Sequence, residues 1–214
     1  AGSIMNADLG GYFNNGFPGN DPGPGVGTTG GGGRGGGGGG HGGAGGNSAD
    51  GNLGGVAYGD ADDPCLMGSA GGRVGTAGLE SGGVGGGAIV VEAANAVLNG
   101  TITANAGDGN AATSTTGATG GGAGGAIQVR AKVITGSGAV TAAGGKGGGS
   151  LYTGMNPGGG GAGGRIRLCA SELYNYTGTY SAGIGFGGLG TTTNGQAGVY
   201  GSFTTCGPTP TPGI

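Results

Sequence analysis

The chain has 214 residues, of which 70 are glycine, and it carries a formal net charge of −3 with only 8% charged residues. Its length fits one domain, and the glycines stand in runs and pairs rather than at every third position, which excludes collagen. The sequence has no basic stripe of the kind that binds nucleic acid, and no run of 18 apolar residues that could insert into a membrane.

Residues 1–29 form an N-terminal extension and linker. Its first part, 1–17, is apolar, and residues 18–27 are rich in Pro and Gly, a composition typical of turns. We predict that the apolar segment adds a strand to the open edge of a neighbouring subunit. The alternative is that it folds back and caps its own domain. The side chains assigned to this contact are Ile4, Met5, Leu9, Tyr12 and Phe13.

Residues 30–46 are almost pure glycine. In isolation such a run is a flexible linker, but packed against other runs it can adopt the extended threefold helix of the polyproline type. His41 interrupts this run and is the only histidine, so neither a histidine pair nor a three-histidine metal site can exist. We expect backbone hydrogen bonds to hold His41 in a glycine lattice, and we do not expect it to act in a Ser-His-Asp arrangement.

The densest acidic stretch lies at residues 60–64, with the sequence DADDP. Asp60, Asp62 and Asp63 supply the hard oxygen ligands that Ca²⁺ prefers, which makes them a candidate calcium site. Their spacing is not that of an EF-hand, and a solvated acidic turn is the alternative interpretation. No other cofactor is predicted.

Residues 85–185 repeat one pattern three times: a glycine cluster, a short alternating strand, a polar turn, a second strand and more glycine. Ile89, Ile127 and Ile166 lie 38 and 39 residues apart. Such a period indicates stacked supersecondary units, and the alternation within each strand places every second residue on one face. Two buried columns are predicted, namely Ile89, Ile127 and Ile166 in the first strands and Ile102, Val140 and Tyr180 in the second.

We therefore predict an all-β fold, a Gly-rich β-solenoid or parallel β-helix over residues 30–205, with about five rungs and long glycine loops. The two outer rungs are assigned to 54–59 and 195–203, with Val56 and Val199 in the apolar column. A Gly-rich antiparallel β-sandwich is the alternative. On the outward faces, Glu92 and Arg130 occupy equivalent positions and can pair across adjacent rungs. Residues 206–214 form a Pro/Thr-rich tail.

Three cysteines permit one disulfide and leave one thiol free or intermolecular. We favour the pair Cys169–Cys206, because Cys169 points outward and Cys206 follows the next rung. Candidate glycosylation sites are Asn99 and Asn175 in N-x-Thr sequons, both placed at turns, and Thr209 and Thr211 between prolines. Few Lys, many Thr, Ser and Asn, and a start at Ala1 indicate a processed extracellular or cell-surface chain.

The repeats resemble the Gly-rich parallel β-helix or β-solenoid domains of bacterial and environmental surface proteins. That family has the pattern GGGSGG-(I/R)-I-x-(I/V)-x-A followed by GxGxIxANGG. The matching stretches here include GGGAIVVEA with GTITANAGDG, and GGAGGAIQVRA with GSGAVTAAGGKG. The resemblance implies a secreted or surface-exposed structural or adhesive module, and no catalytic chemistry.

The leading functional hypothesis is a structural subunit of an extracellular filament or surface coat, a homopolymer assembling head to tail. Solenoid ends carry unpaired strand edges, and a contact that does not close makes a fibre. The alternatives are an adhesin or carbohydrate-binding module, including an ice-binding one, and a polysaccharide-active enzyme. The last needs clustered carboxylates. The repeat region has at most one per rung, at non-equivalent offsets: Glu80, Glu92, Asp108 and Glu172. We therefore predict no enzymatic activity.

Overall fold

The computed structural model describes residues 3–17, 21–75 and 80–207, and this part of the chain is all-β with no helix. Eight strands form two four-stranded sheets in which every neighbouring pair is parallel. Sheet A has the order β1-β3-β5-β7 and sheet B the order β2-β4-β6-β8. The strands are β1 Ile4–Asn6, β2 Ala88–Val97, β3 Thr101–Thr103, β4 Ala126–Gly136, β5 Ala139–Thr141, β6 Arg165–Tyr176, β7 Thr179–Ser181 and β8 Ser202–Cys206.

This arrangement confirms the solenoid and rules out the antiparallel sandwich. It has three complete turns, each with one strand in each sheet (β2 with β3, β4 with β5, β6 with β7), so the prediction of about five rungs is wrong. Residues 54–59 form no strand, and Val56 is 66% exposed. The last strand begins at Ser202, and Phe203 rather than Val199 stacks on Ile166. Val199 instead bonds Ala44 and Gly163 through its backbone, as part of a glycine-rich layer.

The predicted register of the strands is confirmed. Ile89 pairs with Ile127 and Ile127 with Ile166, and all three side chains are buried. The repeat lengthens between the second and third turns because β6 has an irregularity opposite the step from Ala131 to Val133. One extra residue in β6 at that place is a β-bulge, which explains why Ile127 and Ile166, before it, are 39 residues apart while Val140 and Tyr180, after it, are 40 apart.

The second column is buried only in part. Ile102 and Val140 are 7% and 0% exposed, but Tyr180 is 50% exposed, so its predicted burial is wrong. Tyr180 keeps the predicted register opposite Val140. It is half exposed because β7 is the last strand of sheet A, and no strand of the described residues pairs with its outer edge. Its ring stacks on Phe203, with ring centroids 3.4 Å apart.

The glycine-rich segments form ordered layers next to the sheets. Along residues 120–125, successive backbone N–H groups donate hydrogen bonds to three different neighbouring segments. Residues three apart donate to the same segment. A period of three is that of the polyproline-type helix, whose backbone groups all point outward. The bonds are Gly120 to Gly72, Gly121 to Gly159, Gly122 to Gly107, Ala123 to Ser69, Gly124 to Ala162 and Gly125 to Ala104, all between 2.8 and 3.0 Å.

The same run also accepts hydrogen bonds from other segments, so residues 117–125 are buried on all sides. Gly39 donates to Gly121, Gly83 to Gly120 and Gly145 to Gly122. A run with three donor neighbours and three acceptor neighbours is the centre of a hexagonal array. We call these segments the glycine runs; the most buried are 36–41, 117–125 and 157–164.

Close approach of backbones explains why these runs are glycine. A Cβ built on Gly120 would overlap the carbonyl oxygen of Gly37, well inside van der Waals contact. In contrast, a Cβ built on Gly31, in an exposed loop, would meet no atom within 4 Å. The array therefore requires glycine where two backbones come closest, as at Gly120, and it accommodates a buried methyl group elsewhere, as at Ala123.

Candidate functional site

His41 lies inside the glycine array and is fully buried. Its Nδ1 is 2.8 Å from the carbonyl oxygen of Gly124, so Nδ1 carries the proton and donates it. Burial lowers the pKa of His41 to about 4, helped by the charge of Arg165 and opposed by the hydrogen bond to Gly124. The other neighbour is the tilted ring of Tyr58, with centroids 4.9 Å apart. The neutral imidazole has a packing role, as the sequence suggests.

The acidic stretch covers the outer face of sheet B instead of forming a metal site. Asp60 accepts a hydrogen bond from the backbone N–H of Asp62 at 2.7 Å, closing a local turn. Asp63 accepts from Gln128 at 3.1 Å and pairs with Arg130. Among the described residues, no group of three or more His, Cys, Asp or Glu side chains can hold a metal ion. The structure thus does not bring Asp60, Asp62 and Asp63 together as a calcium site.

The segment around Asp63 buries a residue of β4 that the alternation of the strand predicts to be exposed. Gln128 points to the face expected to be exposed, yet it is only 1% exposed, because the segment around Asp63 lies over it. Arg165 donates to the carbonyl oxygen of Tyr58 at 3.1 and 2.9 Å and helps to fix the same segment. The predicted pair of Glu92 and Arg130 is present at 3.5 Å, with the Glu92 side chain mostly and the Arg130 side chain partly in solvent.

The cysteines and the two asparagine sequons lie at or near the surface. A disulfide joins Cys169 in β6 to Cys206 in β8, which are paired residues with Cα atoms 4.4 Å apart, and Cys65 is free and exposed. Asn99 is exposed in the turn between β2 and β3, and its Oδ1 accepts from Ser137 N–H at 3.2 Å. Asn175 is exposed but lies within β6, not in a turn. Thr209 and Thr211 lie outside the described residues.

The N-terminal segment lies on its own chain. Strand β1 pairs with β3 of its own chain over Ile4 to Thr101, Met5 to Ile102 and Asn6 to Thr103, and it is the edge strand of sheet A. The capping alternative is the arrangement found. After β1, the chain continues along the glycine runs, with Gly11 donating to Gly85 and Tyr12 to Gly68. Tyr12 and Phe13 are half-buried there, whereas Ile4, Met5 and Leu9 are 74%, 45% and 56% exposed.

At each end of the stack, the terminal strands have an outer edge that pairs with no other strand of the described residues. These two ends are the candidate functional site. At the first end, β1 closes sheet A and β2 closes sheet B; at the second end, β7 and β8 do so. Both ends carry exposed apolar side chains. The exposed large apolar side chains on or next to the terminal strands are Ile4, Met5, Val90 and Val97 at the first end, and Tyr180, Phe186, Val199 and Tyr200 at the second.

Comparison of the chain with protein-family models, with curated proteins and with solved structures finds no match. The solenoid fold therefore rests on the structure, and the likeness to bacterial surface proteins on the sequence pattern alone. None of the described residues belongs to a helix long and apolar enough to span a lipid bilayer.

Proposed function

We propose that this protein is a structural subunit of an extracellular filament or surface coat, and that its copies associate head to tail through the ends of the sheet stack. One observation carries the proposal: all four terminal strands, β1, β2, β7 and β8, have an open edge flanked by exposed apolar side chains. Open strand edges pair with other chains unless they are covered or charged.

Little in the terminal strands opposes such pairing. Glu92 is the only charged residue in β1, β2, β7 and β8. Natural proteins that protect an edge place Lys, Pro or inward-pointing charges on it. The net charge of −3 over 214 residues also gives weak long-range repulsion between copies.

A binding module is the second candidate, and the loop at residues 150–155 favours it. Leu151 is 91% exposed and Tyr152 is 46% exposed at this loop, away from both sheets. An exposed aromatic ring beside an aliphatic side chain provides the amphipathic contact surface used in recognition. This candidate predicts monomers that retain a glycan ligand, with loss of retention on Tyr152→Ala.

Negative-stain microscopy of the purified chain over a range of concentrations tests the proposal. The wild type is expected to form unbranched filaments, and Tyr180→Lys is expected to abolish them, because it places a charge at the open end of sheet A. Tyr152→Lys is the matched control, since Tyr152 is 46% exposed and Tyr180 is 50% exposed, and it should leave filaments intact. Circular dichroism checks that both variants stay folded. Wild-type chains that remain monomeric at every concentration would contradict the proposal.

A further inference from the structure

The two sheets are offset by one strand along the stack. Counting each turn as a level, β2 and β3 are level one, β4 and β5 level two, and β6 and β7 level three. Sheet A carries an extra strand, β1, below level one, and sheet B carries an extra strand, β8, above level three. Each sheet has four strands, but sheet A begins and ends one level before sheet B. At one end of the molecule sheet A extends one strand beyond sheet B, and at the other end sheet B extends one strand beyond sheet A. The two ends therefore have complementary shapes, and we call this one-strand offset the step.

We propose that a second copy of this chain fits this step, with its β1 on β7 and its β2 on β8. The level above β7 is then completed by β8 from one copy and β1 from the next. This inference rests on the proposed head-to-tail assembly and specifies its register. It also gives the N-terminal strand two neighbours: β3 of its own chain on one edge and β7 of the preceding copy on the other.

The backbone of sheet A supports the step, because one hydrogen-bond pattern repeats from level to level. Thr179 N–H donates to Gly138 O at 3.0 Å, and Ala139 N–H donates to Gly100 O at 2.9 Å. In each case the first residue of a strand bonds the glycine before the preceding strand. Continued by one level, Ile4 N–H of the next copy donates to Gly178 O, which stands at the position equivalent to Gly138.

The other end of each short strand repeats a second bond. Ala142 N–H donates to Ser181 O at 2.8 Å, Ala104 N–H to Thr141 O at 2.9 Å and Ala7 N–H to Thr103 O at 2.8 Å. One level higher, Ala182 N–H is the equivalent donor, and Asn6 O of the next copy is the equivalent acceptor. Within the described part of the chain, the backbone bonds outside the strands include none from Ala182 N–H.

Sheet B continues in the same way. Ser202 N–H donates to Gly164 O at 3.1 Å, and Arg165 N–H donates to Gly125 O at 2.9 Å. The next bond in this series runs from Ala88 N–H of the following copy to Gly201 O. In both sheets, the backbone groups that would bond the next strand of the stack therefore lie where a second copy would place its own strand.

The side chains fit the same register. Met5 of the next copy is placed over Tyr180, and Ile89 of the next copy over Phe203, so the two apolar columns run on without interruption. The exposed half of the Tyr180 ring is then covered. Glu92 comes to lie over Cys206, and no two like charges face each other in the continued ladders.

Engineered cysteines test this register. In the background Cys65→Ser, the double variant Met5→Cys/Tyr180→Cys places a thiol on β1 and another on β7. Directly opposed residues of neighbouring parallel strands lie about 4.8 Å apart, within the Cα separation that a disulfide accepts. The two positions in one chain are separated by β3 and β5, so they cannot bond each other and any cross-link joins two copies. The matched control is Val97→Cys/Tyr180→Cys, which uses an exposed residue of β2 at the same end.

Under mild oxidation, the Met5→Cys/Tyr180→Cys chain is expected to give a ladder of dimers, trimers and larger species on non-reducing gels, and the Val97→Cys control is expected to remain monomeric. Filaments that are visible by microscopy but give no ladder, or an equal ladder in the control, would overturn the register and leave the proposed filament function standing. A wild type that forms no filaments, with no ladder from the double variant, would overturn both.

Discussion

The sheets and the glycine runs of this chain are stacked in the same turns, but different groups hold them together. In the sheets, side chains such as Ile127, Ile166 and Leu168 fill a buried core. In the run at 117–125 most residues are glycine, and backbone N–H and C=O groups bond six neighbouring segments. Ordering glycine is entropically unfavourable by about 0.5–1 kcal/mol per residue relative to alanine in regular structure. The dense backbone bonding offsets that loss.

The two regions should therefore respond oppositely to a change in side-chain volume. Removing atoms harms a side-chain core because it leaves a cavity. Adding atoms harms the glycine array because it forces backbones apart.

The largest effect is expected from Gly120→Ala in the central glycine run. The new Cβ would overlap Gly37 O, and both backbones are held by hydrogen bonds, so neither can move aside. We expect a loss of more than about 3 kcal/mol in the free energy of unfolding, at or beyond the upper range for overpacked cores. Urea unfolding followed by circular dichroism measures it.

Gly31→Ala is the control for this variant, because its Cβ meets no atom within 4 Å. Its free energy of unfolding should stay within about 0.5 kcal/mol of the wild type. Equal stabilities for the two alanine variants would show that the glycine runs are not close-packed.

Ile127→Ala should lower the free energy of unfolding by about 2–5 kcal/mol, since Ile127 is fully buried between Ile89 and Ile166. Val90→Ala, at a half-exposed position of β2, should change it by less than about 1 kcal/mol. A small effect at Ile127 would mean that the glycine array alone holds the fold.

The third expectation concerns pH and the single histidine in the array. His41 has a pKa of about 4 in the folded chain, against 6.5 for an ordinary solvent-exposed histidine. Between these pH values the unfolded chain binds a proton that the folded chain does not, so stability falls as pH falls from 6.5 to 4. The shift corresponds to a loss of about 3 kcal/mol, fully developed below pH 4.

Unfolding free energies at pH 7 and pH 4 measure this loss. His41→Gln cannot be protonated in this range, so its stability should change less between the two pH values, although it is expected to be less stable at pH 7. A loss equal to that of the wild type would assign the pH dependence to other groups.

The same contrast explains which features could be predicted from the sequence. The columns through Ile127 and Val140, the Glu92–Arg130 pair and the Cys169–Cys206 disulfide were predictable, because distinctive side chains recur at a fixed spacing. The partners of a glycine run were not predictable, since glycines look alike in every register. The outer rung placed at Val199 failed for this reason, because that segment is a glycine run with a few side chains.

Two other predictions were wrong, one at the end of sheet A and one under the segment that lies over sheet B. Tyr180 repeats the column of Val140, but the sequence alone does not show that sheet A ends there. Gln128 alternates as an outward residue, but the segment around Asp63 folds over it from 65 residues earlier in the chain. Both misses concern contacts that lie outside the repeating unit.

Helical reconstruction of the assembled protein by electron cryomicroscopy tests most directly whether the stack continues between copies. Four strands per sheet at the usual parallel spacing predict an axial rise of about 19 Å per copy, with β1 of each copy hydrogen-bonded to β7 of the copy before it. A filament whose subunits meet through the glycine runs or loops, with the strand edges facing solvent and a rise unrelated to four strand spacings, would contradict the account.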